Sequence, residues 1–293
     1  MNQNLNFNEH GRIRTLWRIL IFTFTTLLLI SPLLLINNSI IQFLGANLIL
    51  IGALYLNSKY LDKQDFEVYG LIFKKVTIID LVVGFIVGFL SVVSILLIGA
   101  WSNFLVISKS EMHLDVAMQL LFALKMLLVG SCEEVFFRGY LFTTIYIGLK
   151  SKETSGKNAI VIALLISSVV FGLAHLSNNH ASLISTLLLT INGMVWCIPL
   201  IITRNLGLSI GMHTAWNFTQ TQLGFTMSGN KAIDSFYKIE NVGPDYQTGG
   251  AYGPEAGVLG LIGFSIMLLL TLSYVKFRDN IFATKFTNYR LWF

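Results

Sequence analysis

Eight apolar runs, each near the length that crosses a bilayer, constrain this 293-residue chain more than any other feature. They fall near Leu16–Ile36, Ser39–Leu56, Leu81–Trp101, Val116–Gly139, Ala159–His175, Ala181–Ile202, Leu206–Leu223 and Ala256–Val275. A spanning helix needs about 20 predominantly apolar residues. In hydrocarbon every backbone donor and acceptor must find a partner within the protein, which leaves helices or a closed barrel. Runs of this length select helices. The expected fold is all-α: a polytopic membrane helix bundle of about eight transmembrane helices, forming one integral-membrane domain over residues 1–293. Charged residues make up 12% of the chain, about half the usual share for a soluble domain.

The net charge of +5 invites a nucleic-acid reading, but its distribution argues for topology instead. If the eight runs alternate in direction, one side receives Arg12, Arg14, Arg18, Lys59, Lys63, Lys74, Lys75, Lys150, Lys152, Lys157, Arg204, Lys276, Arg278, Lys285 and Arg290, which is 15 of the 20 basic residues. The other side holds Lys109, Lys231 and Lys238, with Lys125 and Arg138 left inside runs. This asymmetry follows the positive-inside rule and puts both termini in the cytoplasm. The partner it implies is a lipid bilayer, the cell membrane, and no nucleic acid. The first run is too long for a signal-peptide core and lacks a small-residue cleavage site, so it is expected to stay as an anchor. Cys132 and Cys197 both lie in runs, which makes a disulfide framework improbable.

Against this background Glu133-Glu134-Val135-Phe136-Phe137-Arg138 stands out, with three charges inside an apolar stretch. Insertion scales put the penalty at roughly 2.5–3.5 kcal/mol for each such group, and two adjacent carboxylates disfavour each other's ionisation. The cluster must be paired, watered and inward-facing, which marks a functional site. Glu134 and Arg138 are four apart and share a helix face. Glu133 sits about 100° around from Glu134, free to point elsewhere, as a general base would. A second pair, Phe171 and His175, repeats the four-residue spacing on the next helix. Glu133 lies 17 residues before Lys150 and His175 lies 17 after Asn158, so an antiparallel hairpin brings the two to similar depth. The arm Val116–Leu149 would measure about 50 Å as one helix, so it is expected to project or to kink near Gly139. A third pair, His213 and Asn217, offers hydrogen-bond donors suited to an oxyanion. Together these residues meet the needs of amide hydrolysis: a means of activating water and a means of stabilising the oxyanion.

Other features stay open. Lys125, two turns before the glutamates, either snorkels or pairs with one of them. The glycine-rich connection 224–255 is either a lid or a passive link. The tail after Val275 alternates basic and aromatic residues, as a surface anchor does. Ser131 has no GxSxG elbow, and neither an HExxH zinc helix nor a paired-aspartate protease signature is present.

The ordered set Glu133-Glu134-xxx-Arg138, Phe171-xxx-His175 and His213-xxx-Asn217 resembles the three motifs of the CAAX-protease and bacteriocin-processing (CPBP, or Abi) intramembrane proteases, the family of the Ras-converting CAAX endopeptidase. The resemblance spans a catalytic core of about 116–220 and implies a fold of eight spans. It also implies proteolysis of a peptide or lipidated peptide within a membrane cavity. Glu133 and His175 would activate water, His213 and Asn217 would stabilise the tetrahedral oxyanion, and Glu134 with Arg138 would hold the site in shape. The family is often labelled metalloprotease. A Glu/His/His set could hold zinc, but neither histidine has an evident carboxylate behind it in the sequence, so a metal-free reaction is favoured and the cofactor stays undecided. Two readings from other classes compete: a proton- or ion-coupled transporter, and a catalytically silent immunity or partner-binding protein.

Overall fold

A computed structural model describes residues 13–111, 115–150, 154–231 and 234–282. Arg12, Lys152, Lys285, Arg290 and the end of the aromatic tail, all used above, lie outside the described residues. The chain folds into helices α1 (Thr15–Ile30), α2 (Ser39–Asn57) and α3 (Lys75–Trp101), then a short strand β1 (Leu105–Lys109). Next come α4 (Val116–Glu134), α5 (Thr143–Leu149), α6 (Gly156–Ala174), α7 (Leu183–Thr203) and α8 (Gly207–Gln222). Strand β2 (Tyr237–Asn241), the single turn α9 (Asp245–Thr248) and α10 (Val258–Phe282) complete the order. The helix starts are written in the sequence. Asn38, Asp115 and Ser155 each accept backbone N–H bonds from the first turn that follows, and Ser182 forms a reciprocal capping box with Ser185.

All eight expected runs are helical, but six helical segments are long and apolar enough to cross a membrane: Thr15–Leu35, Ser39–Asp62, Lys75–Trp101, Gly156–Ala174, Leu183–Thr203 and Val258–Arg278. The count of eight is not confirmed, because α4 and α8 are not among the six. The reason is chemical. Helix α4 carries Lys125, Glu133 and Glu134, and the 16-residue α8 carries His213, Asn217, Gln220 and Gln222. Helix α8 is buried along almost its whole length. A helix enclosed by other helices finds partners in protein, so it has no need of the apolar surface that lipid demands. The outer helices face the other way, with Leu16, Phe24, Leu34 and Leu35 on α1 and its continuation exposed. The protein is an integral-membrane helix bundle.

Two details depart from a purely helical bundle. Strands β1 and β2 pair antiparallel with Leu105 opposite Asn241 and Lys109 opposite Tyr237, tying the connection after α3 to the one after α8. The long arm from α4 to α5 does not stay regular. Residues Val135–Phe142 wind as a π-helix that includes Gly139, the position where a kink was expected. Such segments are frequent at functional sites.

Helices α3 and α8 make the most intimate pair. Gly84 and Gly88 on α3 face the backbone of α8, where an added Cβ would collide with the carbonyls of Leu208 and Met212. Gly207 and Gly211 on α8 return the contact, against the carbonyls of Thr77 and Leu81. Two facing Gly-xxx-Gly steps let backbones approach closely, which is how helices pack in membranes. This contact fixes the depth of His213 and Asn217, which lie on the same helix. Gly88→Val is expected to lower the stability of the purified protein by about 1–3 kcal/mol, read as a drop in thermal midpoint in detergent. An unchanged midpoint would show that α8 is held by other contacts.

Candidate active site

The site is built around Glu134, at the last turn of α4. Its side chain has no solvent exposure, and its Oε1 accepts from Arg138 Nη1 at 3.0 Å and from His213 Nδ1 at 2.8 Å. Arg138, also buried, donates through Nη2 to the carbonyl of Gly193 on α7 at 3.3 Å. Its guanidinium lies over the Phe171 ring at 4.2 Å, with Phe137 and Trp196 close by. Charge, hydrogen bonds and aromatic faces thus replace the water that this cation would otherwise keep.

Both histidine rings are oriented from behind. His213 donates Nδ1–H to the Glu134 carboxylate and stacks on Trp196, ring centres 4.0 Å apart and 17° from parallel. His175, which ends α6, has Nδ1 2.8 Å from the Phe171 carbonyl. A carbonyl only accepts, so that nitrogen carries the proton. In each neutral ring the Nε2 lone pair is then left facing the cavity. Both face the same atom: Glu133 Oε2 lies 3.9 Å from His175 Nε2 and 3.8 Å from His213 Nε2. These distances are too long for a direct hydrogen bond and suit a shared water. Glu133 Oε2 is buried with no hydrogen-bond partner among the described residues, although the side chain as a whole is 27% exposed. The two glutamates therefore divide as their spacing implied, one anchored and one free.

Glu133, His175, His213 and Asn217 all line one cavity of about 780 Å³. All six motif residues come together, although they are drawn from α4, the π-helix, α6 and α8. Three contributors were not legible as site residues. Trp196 lies in an apolar run, where nothing sets it apart from the core. Asn192, on the same α7 face, lines the cavity with both amide atoms unpartnered. Glu255 lies in the glycine-rich connection, and its one sequence signal is a carboxylate just before an apolar run. It is buried against the cavity wall, where Gln220 Nε2 and the backbone and hydroxyl of Ser228 donate to it. Burial pushes its carboxyl above the ordinary carboxylate range. Met227, Ser228 and Asp234 join it, so the connection after α8 walls the cavity and is more than a passive link.

The sequence argument against zinc rested on histidines with no partner behind them, and here the structure differs. Glu134 stands behind His213 and a backbone carbonyl behind His175, an arrangement that metal-ligating histidines also use. Among the described residues, no three His, Cys, Asp or Glu side chains are grouped so as to hold an ion. Cys132 and Cys197 are unpaired, as expected.

Residues 115–219 match the family described as Type II CAAX prenyl endopeptidase Rce1-like, so the segment that carries the three motifs is Rce1-like. That family is one of CAAX proteases, which supports peptidase activity on peptides in a membrane. No curated protein and no solved structure matches the chain.

Because Glu134 binds two donors at once, Glu134→Ala would strand a buried guanidinium and release the His213 ring. Such breaks cost about 3–5 kcal/mol. The variant should show a lower folded yield and a lower thermal midpoint, and a wild-type midpoint would show that the carboxylate is not structural.

Proposed function

We propose that this chain is an intramembrane endopeptidase that hydrolyses a peptide bond in the cavity beside Glu133. The observation that carries the reading is the approach of two histidine Nε2 atoms to one free carboxylate oxygen in a cavity wall. A water held between Glu133 and His175 can give its proton to the Glu133 carboxylate while its oxygen attacks the scissile carbonyl. The carbonyl oxygen becomes an oxyanion, to which Asn217 donates an amide N–H. His213 can donate through Nε2 only when its ring carries both protons, and Glu134 and the Trp196 face are the partners such a cation needs. Glu133 then returns the proton to the leaving amine as the C–N bond breaks. Arg138 and Glu134 hold the rings in place and take no part in bond making. No step passes through a metal.

The substrate class is a peptide or lipidated peptide that reaches the site from the bilayer or the adjacent water. The basic residues support both termini in the cytoplasm and residence in the cell membrane. With that topology the 224–255 connection and the cavity mouth it walls lie on the opposite face.

The test is cleavage of a lipid-anchored peptide library by detergent-purified protein. Wild type should cleave, and Glu133→Gln and His175→Ala should each lose about 10²–10⁴-fold in rate. His213→Ala and Asn217→Ala should lose about 10²–10³-fold. A chelator should leave wild-type cleavage intact. Undiminished cleavage by Glu133→Gln would sink the assignment. Folded wild-type protein that cleaves nothing would favour the silent-partner or transporter readings.

A further inference from the structure

One end of the cavity is closed by a packed layer that the reaction proposed above does not use. On the α4 arm the lining reaches Phe137 and stops there. Every residue from Arg138 to Tyr146 is buried. An added Cβ at Gly139 would lie 3.0 Å from the Tyr69 carbonyl oxygen and 3.2 Å from Leu206, so the joints before α3 and before α8 press on the π-helix. Asp62 ties this layer together: it pairs with Arg18, accepts from the Tyr69 hydroxyl and from Asn57 Nδ2 at 2.9 Å, and has Thr144 Oγ1 at 3.4 Å. The Tyr140 hydroxyl donates to the Arg18 carbonyl at 3.0 Å. Parting these groups would strand buried charge, which makes the layer expensive to open. The other end is built differently. There the lining is completed by Asn178 after α6, by Gln222 at the end of α8, and by the exposed Lys231 and Asp234 beyond it. The two ends also differ in charge. Lys59, Lys63, Lys74, Lys75, Lys157 and Arg204 lie in or beside the connections of the closed end, and none of them lines the cavity. Among the described residues the open end has Lys109, Lys231 and Lys238.

We infer that the site takes its substrate from the non-cytoplasmic side of the membrane, as an extended segment of a polypeptide that has already been exported. The inference rests on the peptidase reading and adds to it the side from which substrate comes. The positive-inside rule assigns the closed, basic end to the cytoplasm and leaves the open end outside. A cytoplasmic peptide would have to part the layer around Asp62. Crossing the lipid instead would cost roughly 2.5–3.5 kcal/mol for each charged side chain. A cavity of about 780 Å³ has the size of a small-molecule pocket, which admits an extended segment and no folded domain. The stretch that is cut is therefore unfolded where it enters. Two sources supply such a segment: an exported peptide free in water, or one held at the outer leaflet by a lipid anchor.

The experiment keeps the full chain in the membrane of the expressing cell, as right-side-out spheroplasts and as sealed inverted vesicles. Lys238→Cys and Lys59→Cys, each beside wild type as the background for Cys132 and Cys197, are treated with a membrane-impermeant maleimide. Lys238→Cys should label in spheroplasts and Lys59→Cys only in inverted vesicles, and the reverse pattern would overturn the inference. The best-cleaved peptide of the library is then added with a charged, impermeant tag, free in one arm and lipid-anchored in the other. Spheroplasts should cleave it about tenfold or more faster than sealed inverted vesicles, because the bilayer excludes the charged tag. Detergent should bring the inverted vesicles up to the same rate. The arm that is cleaved faster names the source. Equal rates on the two sealed membranes, or the faster rate on inverted vesicles, would overturn the inference while leaving the peptidase reading intact. Binding of the labelled library to Glu133→Gln membranes separates the two ideas from the other direction. Binding to spheroplasts alone, with no cleavage by wild type in detergent, would defeat the peptidase reading and uphold the side. A library bound and cleaved from neither side would overturn both.

Discussion

The Glu134 carboxylate is the interaction on which the rest of the site depends. One oxygen holds both Arg138 on its own helical arm and His213 on α8, and Arg138 passes the tie on to the Gly193 carbonyl of α7. Three helical elements are joined at one buried charge. Taken singly, each of these groups would be expensive at this depth. Together they pair through one carboxylate oxygen, and the aromatic faces of Phe171 and Trp196 close the space around the guanidinium and the imidazole. The site's shape and its electrostatics therefore have one origin.

That arrangement needs α8 deep within the bundle, and the glycines of α3 and α8 allow it. A side chain at Gly84, Gly88, Gly207 or Gly211 would hold the two backbones apart. Close approach leaves α8 with almost no lipid contact, and this releases it from the apolar composition of the outer helices. The polar motif residues can occupy α8 and the end of α4 because neither helix has to present an apolar surface all round. The polar residues that set α4 and α8 apart from the six apolar spans are those that line the cavity, Lys125 and Glu133 on one and His213 and Asn217 on the other.

What could be read in advance follows from what is local. The four-residue spacings placed Glu134 against Arg138 and Phe171 against His175, because helical geometry is set over one turn. The hairpin count brought Glu133 and His175 to one depth, and the length of the arm demanded a break where the π-helix lies. Contacts made across helices left no such trace. Nothing in an apolar run distinguishes Trp196, stacked on His213, from an ordinary core residue. The pairing of Leu105–Lys109 with Tyr237–Asn241 joins segments far apart in sequence, each too short to show a reliable alternation. Glu255 reaches the cavity only because the connection after α8 folds back over it. The family match stops short of all three of these segments except the one that holds Trp196.

Two adjacent residues of the same type end with opposite roles, and solvent access with donor supply decides which is which. Glu134 has no exposure and holds both of its donors on Oε1, tying Arg138 and His213 to one oxygen, while its buried Oε2 has no partner among the described residues. Glu133 keeps 27% exposure, with two lone-pair nitrogens nearly 4 Å away and no donor on Oε2. Arg138 pairs with Glu134 and not with Glu133. The Glu133 oxygen beside the two histidines is thus the one left open on the cavity side. A buried ion pair and a carboxylate open to a cavity need different surroundings, and a single step of about 100° around one helix supplies both.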